Sequence, residues 1–176
     1  MKKIVTIGPE STGKSTLCKL LAEHYKTVWV PEYAREYLLK NGKDYQYNDL
    51  LKIAEGQIAL EEKTCKEIEA NNNSSLVIID TDLLVIKVWS EFVFNKCDNS
   101  ILTQIANRKY DLYILCKPDL PWVKDELREY PDVETRNKLY NHYKDILVNQ
   151  QVPWVEVSGN YEERFRIAVE AINKLL

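Results

Sequence analysis

A surplus of positive charge is the first thing that this sequence lacks. Its 24 lysine and arginine residues are outnumbered by 27 aspartate and glutamate residues, so the net charge at pH 7 is −3. Proteins that bind a nucleic-acid duplex normally rely on a broad positive field, which this balance does not supply. We therefore do not expect nucleic acid to be a partner.

Long apolar runs and clustered cysteines are also missing. No apolar stretch approaches the length of a membrane span, and a structured run at 4–7 follows the N-terminus too closely to leave room for a signal peptide. The 4 cysteines show neither CxxC spacing nor a neighbouring histidine cluster, so neither zinc nor a redox pair is indicated. Reduced thiols suit the cytosol. The sequence predicts a soluble, cytoplasmic protein with no membrane partner.

The chain does contain enough apolar residues for one sizeable core. A length of 176 residues, of which 45% are hydrophobic and 29% charged, is typical of one globular domain, so residues 1–176 are predicted to form a single domain. Short apolar runs alternate with stretches of helical period, as in a parallel sheet with crossover helices. Strands are predicted at 3–7, 28–30, 76–79, 112–116 and 154–157. Helices are predicted from Lys14, after Tyr33, and at 48–70, 83–95, 100–107, 134–148 and 161–176, with a break at 71–75.

The strongest signal is the run from Gly8 to Ser15, GPESTGKS, which matches GxxxxGK[ST] in full between a predicted strand and a predicted helix. Glycines let the loop wrap with its N–H groups inward as a nest for phosphate oxygens, and the following helix adds its positive end. Lys14 supplies a charge for the β- and γ-phosphates, and the Ser15 hydroxyl suits Mg²⁺. The predicted nucleotide contacts in this loop are Gly8, Glu10, Ser11, Thr12, Gly13, Lys14, Ser15 and Thr16.

Acidic residues follow two of the predicted strands, at the sheet edge where α/β proteins bind their ligands. Asp80 is the candidate Walker B carboxylate, which would act on Mg²⁺ directly or through water. Asp82 could serve the same metal or cap the next helix, and the pattern leaves both open. Glu32 suits a general base, because a hydroxyl acceptor needs a carboxylate that takes or orients its proton. Asp82 is the second choice for that role.

Further candidates surround these acids. Arg35 lies one helical turn after Glu32 and could pair with it, contact a substrate or remain solvated. Tyr33, Trp29 and Trp89 could stack on a flat heterocycle, although aromatic residues at strand ends more often pack in the core. The residues alone leave these alternatives open.

A charged, proline-punctuated segment at about 118–136 has the composition of a mobile lid. Phosphoryl transfer needs cations over the transferring group and needs water excluded, and a closing segment with arginines supplies both. Arg128 and Arg136 are the candidates for this role. Composition alone supports a solvated loop equally well.

Several runs together resemble the ribosylnicotinamide kinase domain of NadR-type proteins over nearly the whole chain. They are GPESTGKS, PEYAREYL, VIIDTDLLVIKVWSE, PDLPWVKDELREYP and WVEVSGNYEERF. The resemblance implies an α/β fold of the P-loop NTPase type, a three-layer sandwich with a five-stranded parallel sheet and a mobile lid. It also implies ATP and Mg²⁺ as cofactors, and transfer of the γ-phosphate to the 5′-hydroxyl of nicotinamide riboside to give nicotinamide mononucleotide.

The resemblance also implies roles for individual residues. The catalytic candidates are Lys14, Glu32, Asp80, Arg128 and Arg136, with Ser15 and Asp80 as metal ligands. The loop around Ser158 and Tyr161, beside Arg164, resembles one that holds the adenine ring. The acceptor-binding candidates are Glu32, Tyr33, Arg35, Gln57, Asp82, Trp89, Trp122 and Asp125.

Two features depart from the longer members of that family. No HxGH motif for nucleotidyl transfer occurs in the chain. Some relatives place an aromatic residue directly before the acid of the second strand, where this chain has Pro31, so stacking on the nicotinamide ring would fall to Tyr33 or Trp89. No pattern in the sequence indicates an oligomeric state.

Three other interpretations compete with a nicotinamide riboside kinase. One is a kinase for another nucleoside or sugar. A second is a regulatory P-loop switch, but a guanine-selective switch usually reads its base with Asn-Lys-x-Asp, and this chain has Cys116 where that asparagine would stand. A third is an idle scaffold, against which the retention of Lys14, Glu32 and Asp80 argues.

Overall fold

The fold is known from a computed structural model that describes residues 1–71 and 74–176. The strands are β1 (Lys2–Ile7), β2 (Trp29–Val30), β3 (Leu76–Asp80), β4 (Leu112–Cys116) and β5 (Trp154–Val157). The helices are α1 (Lys14–His24), α2 (Tyr33–Asn41), α3 (Tyr47–Asn71), α4 (Leu83–Phe94), α5 (Asn99–Asn107), α6 (Val133–Val148) and α7 (Tyr161–Asn173). Positions 72 and 73, within the break predicted at 71–75, lie outside the described residues.

The five strands form one sheet in the order β2-β3-β1-β4-β5, and every pairing is parallel. Parallel strands need helices on both faces, which explains why β3 and β4 are mostly apolar rather than alternating. β3 and β4 are buried at every position. The predicted α/β fold with a five-stranded parallel sheet is confirmed.

The core consists of two layers that the sheet separates. Ile4 and Ile78 pack on one face against residues of α1 and α7, whereas Val5 and Ile79 pack on the other against α3, α4 and α6. Successive side chains of a strand point to opposite faces, so each central strand supplies both layers. The result is the three-layer sandwich that the sequence predicted.

The predicted elements differ from the observed ones only at their ends. Asp80 belongs to β3 because it lies in register with Thr6 of β1. α7 ends at Asn173 rather than at 176. Among the described residues, no helix combines the length and apolar character needed to cross a membrane.

Candidate functional site

The carboxyl ends of the strands open on a cavity of about 580 Å³, within the usual size of small-molecule sites. Its wall includes the loop between β1 and α1, the start of α2, one face of α4 and the connection between β4 and α6. We call that connection, residues 117–132, the β4–α6 loop. The last residues of the predicted lid, 133–136, form the first turn of α6 instead.

Two glycines shape the loop between β1 and α1. Gly8 has a φ of 141°, and a Cβ there would lie 2.7 Å from the carbonyl oxygen of Cys116. Gly13 has a φ of 78° and packs against the side chains of Leu120 and Tyr161. Other residues are strained at such φ values, and at Gly8 a side chain would also collide with β4. These glycines therefore let the loop curl tightly against the sheet.

The curled loop leaves donors for an anion. α1 begins after Gly13 without a side-chain cap, so the first N–H groups of the helix remain available for phosphate oxygens. Lys14 Nζ reaches across the loop to the carbonyl oxygen of Pro9 at 2.7 Å, and Thr12 Oγ1 donates to the same oxygen at 2.9 Å. The loop is thus braced internally, with its lysine on the cavity wall.

Asp80 is a buried acid at the end of β3. It is 1% exposed, and among the described residues its Oδ2 has no hydrogen-bond partner. Burial raises the pKa of Asp80, while the charge of Lys14 and the hydroxyls of Ser15 and Thr81 oppose the rise. A buried carboxylate oxygen without a donor calls for a cation. Asp80 and the neighbouring Ser15 hydroxyl therefore fit Mg²⁺, which prefers oxygen ligands.

The described residues contain no group of three or more histidine, cysteine, aspartate or glutamate side chains placed to hold a metal ion. Magnesium in phosphotransferases is usually held by one or two protein oxygens, with phosphate and water completing its shell. The two oxygen donors Ser15 and Asp80 suit that arrangement.

Glu32 stands at the start of α2 and faces the cavity. It occupies the N-cap position of α2, yet its side chain accepts no capping hydrogen bond. The carboxylate therefore does not serve as the helix cap. Burial raises its pKa, as does the charge of Asp80, while Lys14, Arg35 and Arg128 lower it. Glu32 therefore lies within the electrostatic reach of both the acid and the cations of the site.

Arg35 pairs with Asp125 rather than with Glu32. Its Nη2 lies 2.8 Å from Asp125 Oδ2 and its Nη1 lies 3.1 Å from Oδ1, a bidentate contact between α2 and the β4–α6 loop. Both residues line the cavity, as does Arg128 of the same loop. The pair brings the loop against the acceptor side of the cavity.

Several aromatic side chains line the cavity. Among them are Trp89, Phe92, Tyr130 and Tyr143. Trp89 Nε1 donates to Tyr45 Oη at 2.7 Å, and the rings of Phe92 and Tyr130 meet edge to face at 5.5 Å between centroids. Only Trp89 was among the sequence candidates. Phe92 follows it by three positions on α4 and so shares its face, a spacing that could have identified it.

Tyr33 and Gln57 differ from the sequence expectation, because neither lines the cavity. The Tyr33 ring packs over Gly56 of α3, where a Cβ would lie 2.0 Å from it. Gln57 is 2% exposed; its Oε1 accepts from Tyr33 N at 2.7 Å, and its Nε2 donates to Pro31 O at 3.3 Å. Gln57 thus holds the backbone on both sides of Glu32 instead of contacting the cavity.

Asp82 also lies outside the cavity wall, contrary to the prediction that it contacts the acceptor or serves as a base. Its Oδ1 accepts from Leu84 N at 3.0 Å, which caps α4, and its Oδ2 accepts from Tyr113 Oη at 2.8 Å. Burial raises the pKa of this carboxyl to about 7. Of the two alternatives left open by the sequence, the structure shows the cap.

The side chains of Trp122, Arg136 and Ser158 likewise lie outside the wall. Trp122 Nε1 donates to Glu10 Oε1 at 2.9 Å, so the Trp122 side chain contacts Glu10, which itself lines the cavity. Arg136 is 5% exposed, and among the described residues its Nε and Nη1 have no hydrogen-bond partner. Tyr161, by contrast, does line the cavity, next to Gly13.

Arg164 of α7 connects the loops around the nucleotide side of the site. The guanidinium is 1% exposed and donates to the carbonyl oxygens of Gly159 at 2.8 Å and Lys117 at 3.1 Å. It also pairs with Asp119, whose other carboxylate oxygen accepts from Gly159 N at 2.7 Å. Both oxygens of Asp119 are therefore bound within the protein.

A glycine-rich loop between a buried strand and a helix, with an unsatisfied acid at the end of a neighbouring strand, defines a P-loop nucleotide-binding protein of the α/β class. Comparison with known families agrees: the profile of the AAA domain family matches residues 3–164. The chain belongs to this AAA domain family.

Two individual proteins are also similar to this chain, and both are NadR proteins. The chain is 28% identical over 181 residues to the trifunctional NAD biosynthesis/regulator protein NadR of Escherichia coli, and the corresponding protein of Salmonella typhimurium is also 28% identical. Each alignment covers 100% of this chain and 43% of the relative, so the chain spans less than half the length of these relatives. The resemblance to NadR inferred from the motifs is confirmed.

Solved structures share the fold. A NadR protein in complex with NR superposes with a TM-score of 0.81 at 23% identity, covering 98% of this chain and 49% of that one. Thymidylate kinase from Ehrlichia chaffeensis gives 0.61 at 16% identity, covering 99% and 98%. Deoxyadenosine kinase from M. mycoides gives 0.59 at 17% identity, covering 98% and 100%. At these identities the likeness concerns the fold.

Proposed function

We propose that this chain is an ATP-dependent kinase that phosphorylates the 5′-hydroxyl of nicotinamide riboside to give nicotinamide mononucleotide. The observation that carries the proposal is that Lys14, Asp80 and Glu32 line one cavity together with several aromatic side chains. Phosphoryl transfer to a hydroxyl requires a loop that binds the phosphates, an acid that binds the metal ion and a carboxylate that can accept the proton. Lys14, Asp80 and Glu32 supply these in turn. The NadR relatives named for NAD biosynthesis, and the NadR structure that holds NR, support the acceptor.

The phosphate side of the cavity would receive ATP with Mg²⁺. The amides that open α1 would bind phosphate oxygens, and Lys14 would neutralise charge on the β- and γ-phosphates. Ser15 and Asp80 would hold the ion, which when bound neutralises the phosphate oxygens. A NadR structure in complex with NAD and AMP-PNP supports ATP as the donor.

The acceptor side would orient the hydroxyl. Glu32 would accept its proton. Burial raises the pKa of Glu32 overall, although the neighbouring charges of Lys14 and Arg128 partly oppose the rise. The raised pKa suits a base, because it strengthens the affinity of the carboxylate for a proton. Arg128, on the cavity wall, would add positive charge where the transferred group becomes crowded with negative oxygens.

The aromatic side chains of the cavity would bind the flat ring of a nucleoside. Trp89 and Phe92 offer apolar ring faces or edges, while the Arg35–Asp125 pair lines the same cavity with polar groups for ribose hydroxyls. In this proposal the whole chain acts as one P-loop kinase domain, and the β4–α6 loop serves as its lid. We place it in the cytoplasm, where its four free cysteines would stay reduced.

A kinase for another nucleoside is the second candidate, favoured by the fold shared with deoxyadenosine kinase. A guanine-reading switch is less well supported. The acid that would read guanine in such a switch corresponds to Asp119, and here both of its carboxylate oxygens already bind Arg164 and Gly159 N.

An acceptor screen tests the proposal. ADP release is measured with ATP and Mg²⁺ against nicotinamide riboside, nicotinic acid riboside, adenosine, deoxyadenosine, cytidine and thymidine, with products identified by mass. We expect the highest kcat/KM with nicotinamide riboside and a product heavier by one phosphate. Preference for a different nucleoside would support the second candidate. Nucleotide hydrolysis that no acceptor stimulates would overturn both.

A further inference from the structure

Glu10 lies in the phosphate loop but binds the β4–α6 loop. Its Oε1 accepts from Trp122 Nε1 at 2.9 Å and from Tyr130 N at 2.9 Å, and its Oε2 accepts from Glu129 N at 2.9 Å. One carboxylate thus collects donors from both arms of the β4–α6 loop. The GxxxxGK[ST] motif does not specify the residue at this position, so these contacts are not a requirement of phosphate binding itself.

The next residue of the phosphate loop makes a parallel contact. Ser11 Oγ accepts from Val123 N at 3.0 Å, and Ser11 has a φ of 57°, a conformation that favours glycine. Two adjacent positions of the phosphate loop therefore bind the backbone or side chains of the β4–α6 loop. A strained non-glycine residue held in place by its surroundings is a frequent mark of functional loops.

The charge of Glu10 explains why these contacts matter. A carboxylate in a phosphate loop would repel the bound phosphates if it pointed at them. Here three N–H donors satisfy the carboxylate and turn it toward the β4–α6 loop. Charge-assisted hydrogen bonds to backbone N–H groups are stronger than neutral ones. The Glu10 carboxylate therefore does not repel the phosphates and instead holds the β4–α6 loop against the phosphate loop.

The fastening acts next to a cation of the site. Arg128 lines the cavity and immediately precedes Glu129, whose N–H is bound by Glu10. Arg128 Nη1 also donates to the carbonyl of Val123, the residue that Ser11 binds. Glu10 and Ser11 therefore fix the backbone at both points that locate the Arg128 guanidinium.

We propose that Glu10 is a positioning residue that fastens the β4–α6 loop to the phosphate loop and so sets Arg128 over the transferred phosphoryl group. Its catalytic consequence rests on the proposed kinase function. The fastening itself does not, and it is measured without substrate. Glu10→Gln is the diagnostic variant, because it keeps the shape of the side chain but replaces one acceptor oxygen with an NH₂ group that faces donors.

The first measurement is amide hydrogen exchange of the ligand-free protein across residues 121–131. In Glu10→Gln we expect exchange there to quicken by about tenfold or more, with exchange in β1, β3 and β4 unchanged. Glu126→Gln is the matched control, since Glu126 is an exposed carboxylate of the same loop, and it should leave exchange as it is. Exchange that is equal in Glu10→Gln, Glu126→Gln and the unaltered protein would refute the fastening.

The second measurement separates positioning from structure. In Glu10→Gln, kcat should fall about tenfold or more, with the KM for ATP changed by less than about threefold. In an Arg128→Ala background, Glu10→Gln should lower kcat no further, because both changes then remove the same contribution. Independent, multiplicative effects would show that Glu10 does not act through Arg128.

A second variant covers the case in which Glu10→Gln does not fold. Trp122→Phe removes one of the three donors and should quicken exchange in the same segment by a smaller factor, and unchanged exchange would then refute the fastening. If the unaltered protein transfers no phosphate to any nucleoside, the kinase proposal fails, while the exchange experiment still decides whether Glu10 holds the loop.

Discussion

Arg164 Nη1 donates to the carbonyl oxygen of Thr12 at 3.2 Å, across 152 positions of sequence. The last helix thus holds the phosphate loop directly. Because the same guanidinium binds the carbonyls of Lys117 and Gly159, the ends of β4 and β5 are tied to the phosphate loop at one buried point. The geometry of the nucleotide side depends on a residue that lies far from it in sequence.

Arg164→Lys should therefore destabilise the protein. Lysine keeps the charge but cannot present a planar fork of donors, so several buried carbonyls and Asp119 would lose their partner. We expect a loss of about 2–4 kcal/mol in the free energy of unfolding, measured in urea. Arg166→Lys on the same helix is the control, because Arg166 is exposed and pairs with the exposed Glu170. Equal stability of the two variants would contradict this role for Arg164.

Lys14→Ala should impair both nucleotide binding and turnover. The variant removes the positive side chain that the P-loop motif supplies to the β- and γ-phosphates. We expect kcat/KM for ATP to fall by at least about 100-fold, and the affinity for an ATP analogue to fall as well. Lys63→Ala, on the exposed face of α3, should behave like the unaltered protein. Full activity of the Lys14 variant would remove this loop from the reaction.

Glu32→Gln should spare ATP binding but slow transfer. The amide has the same shape as the carboxylate and cannot take the proton of the acceptor hydroxyl. We expect kcat to fall by about 10²–10⁴, while the affinity for an ATP analogue stays within about threefold. Glu36→Gln, one turn further along α2 and exposed, serves as the control. A Glu32→Gln enzyme with an unchanged kcat would exclude Glu32 as the base.

The parts of the site that the sequence predicted well are those set by local rules. The P-loop motif and a buried strand ending in Asp80 have a short-range signature, so both were located to within a residue. The aromatic residues of the cavity wall were mostly missed, because Phe92, Tyr130 and Tyr143 come from separate elements that only the fold brings to one cavity.

Glu10 and Asp82 show a different limit. Each is an acid in a motif that suggests phosphate or metal chemistry, yet the carboxylate of each accepts hydrogen bonds from N–H groups of the protein itself. The donors of Glu10 lie 112 to 120 positions away, and Tyr113 lies 31 positions from Asp82. Side-chain direction at such distances depends on tertiary packing, which neither propensity nor spacing encodes.

The buried cap Asp82 makes stability depend on pH. Burial raises its pKa from 3.8 to about 7, with the nearby charge of Glu61 acting in the same direction and Tyr113 Oη opposing it. The pKa of this acid is higher in the folded protein than in the unfolded chain. Its contribution to stability is therefore fully present below the unfolded pKa of about 3.9. That contribution is lost as the pH rises through the folded pKa near 7. The amide introduced by Asp82→Asn stays neutral at every pH, so that variant lacks this loss.

We expect the unaltered protein to lose stability relative to Asp82→Asn by about 1 kcal/mol or more between pH 5 and pH 8, because each pKa unit is worth about 1.4 kcal/mol. Urea unfolding of both proteins at the two pH values measures the difference. Asp145→Asn, on the exposed side of α6, should show no such change with pH. The opposite outcome is a stability difference between the unaltered protein and Asp82→Asn that is the same at both pH values. It would mean that Asp82 titrates normally. Its hydrogen bonds to Leu84 N and Tyr113 Oη would then outweigh the cost of burying its charge.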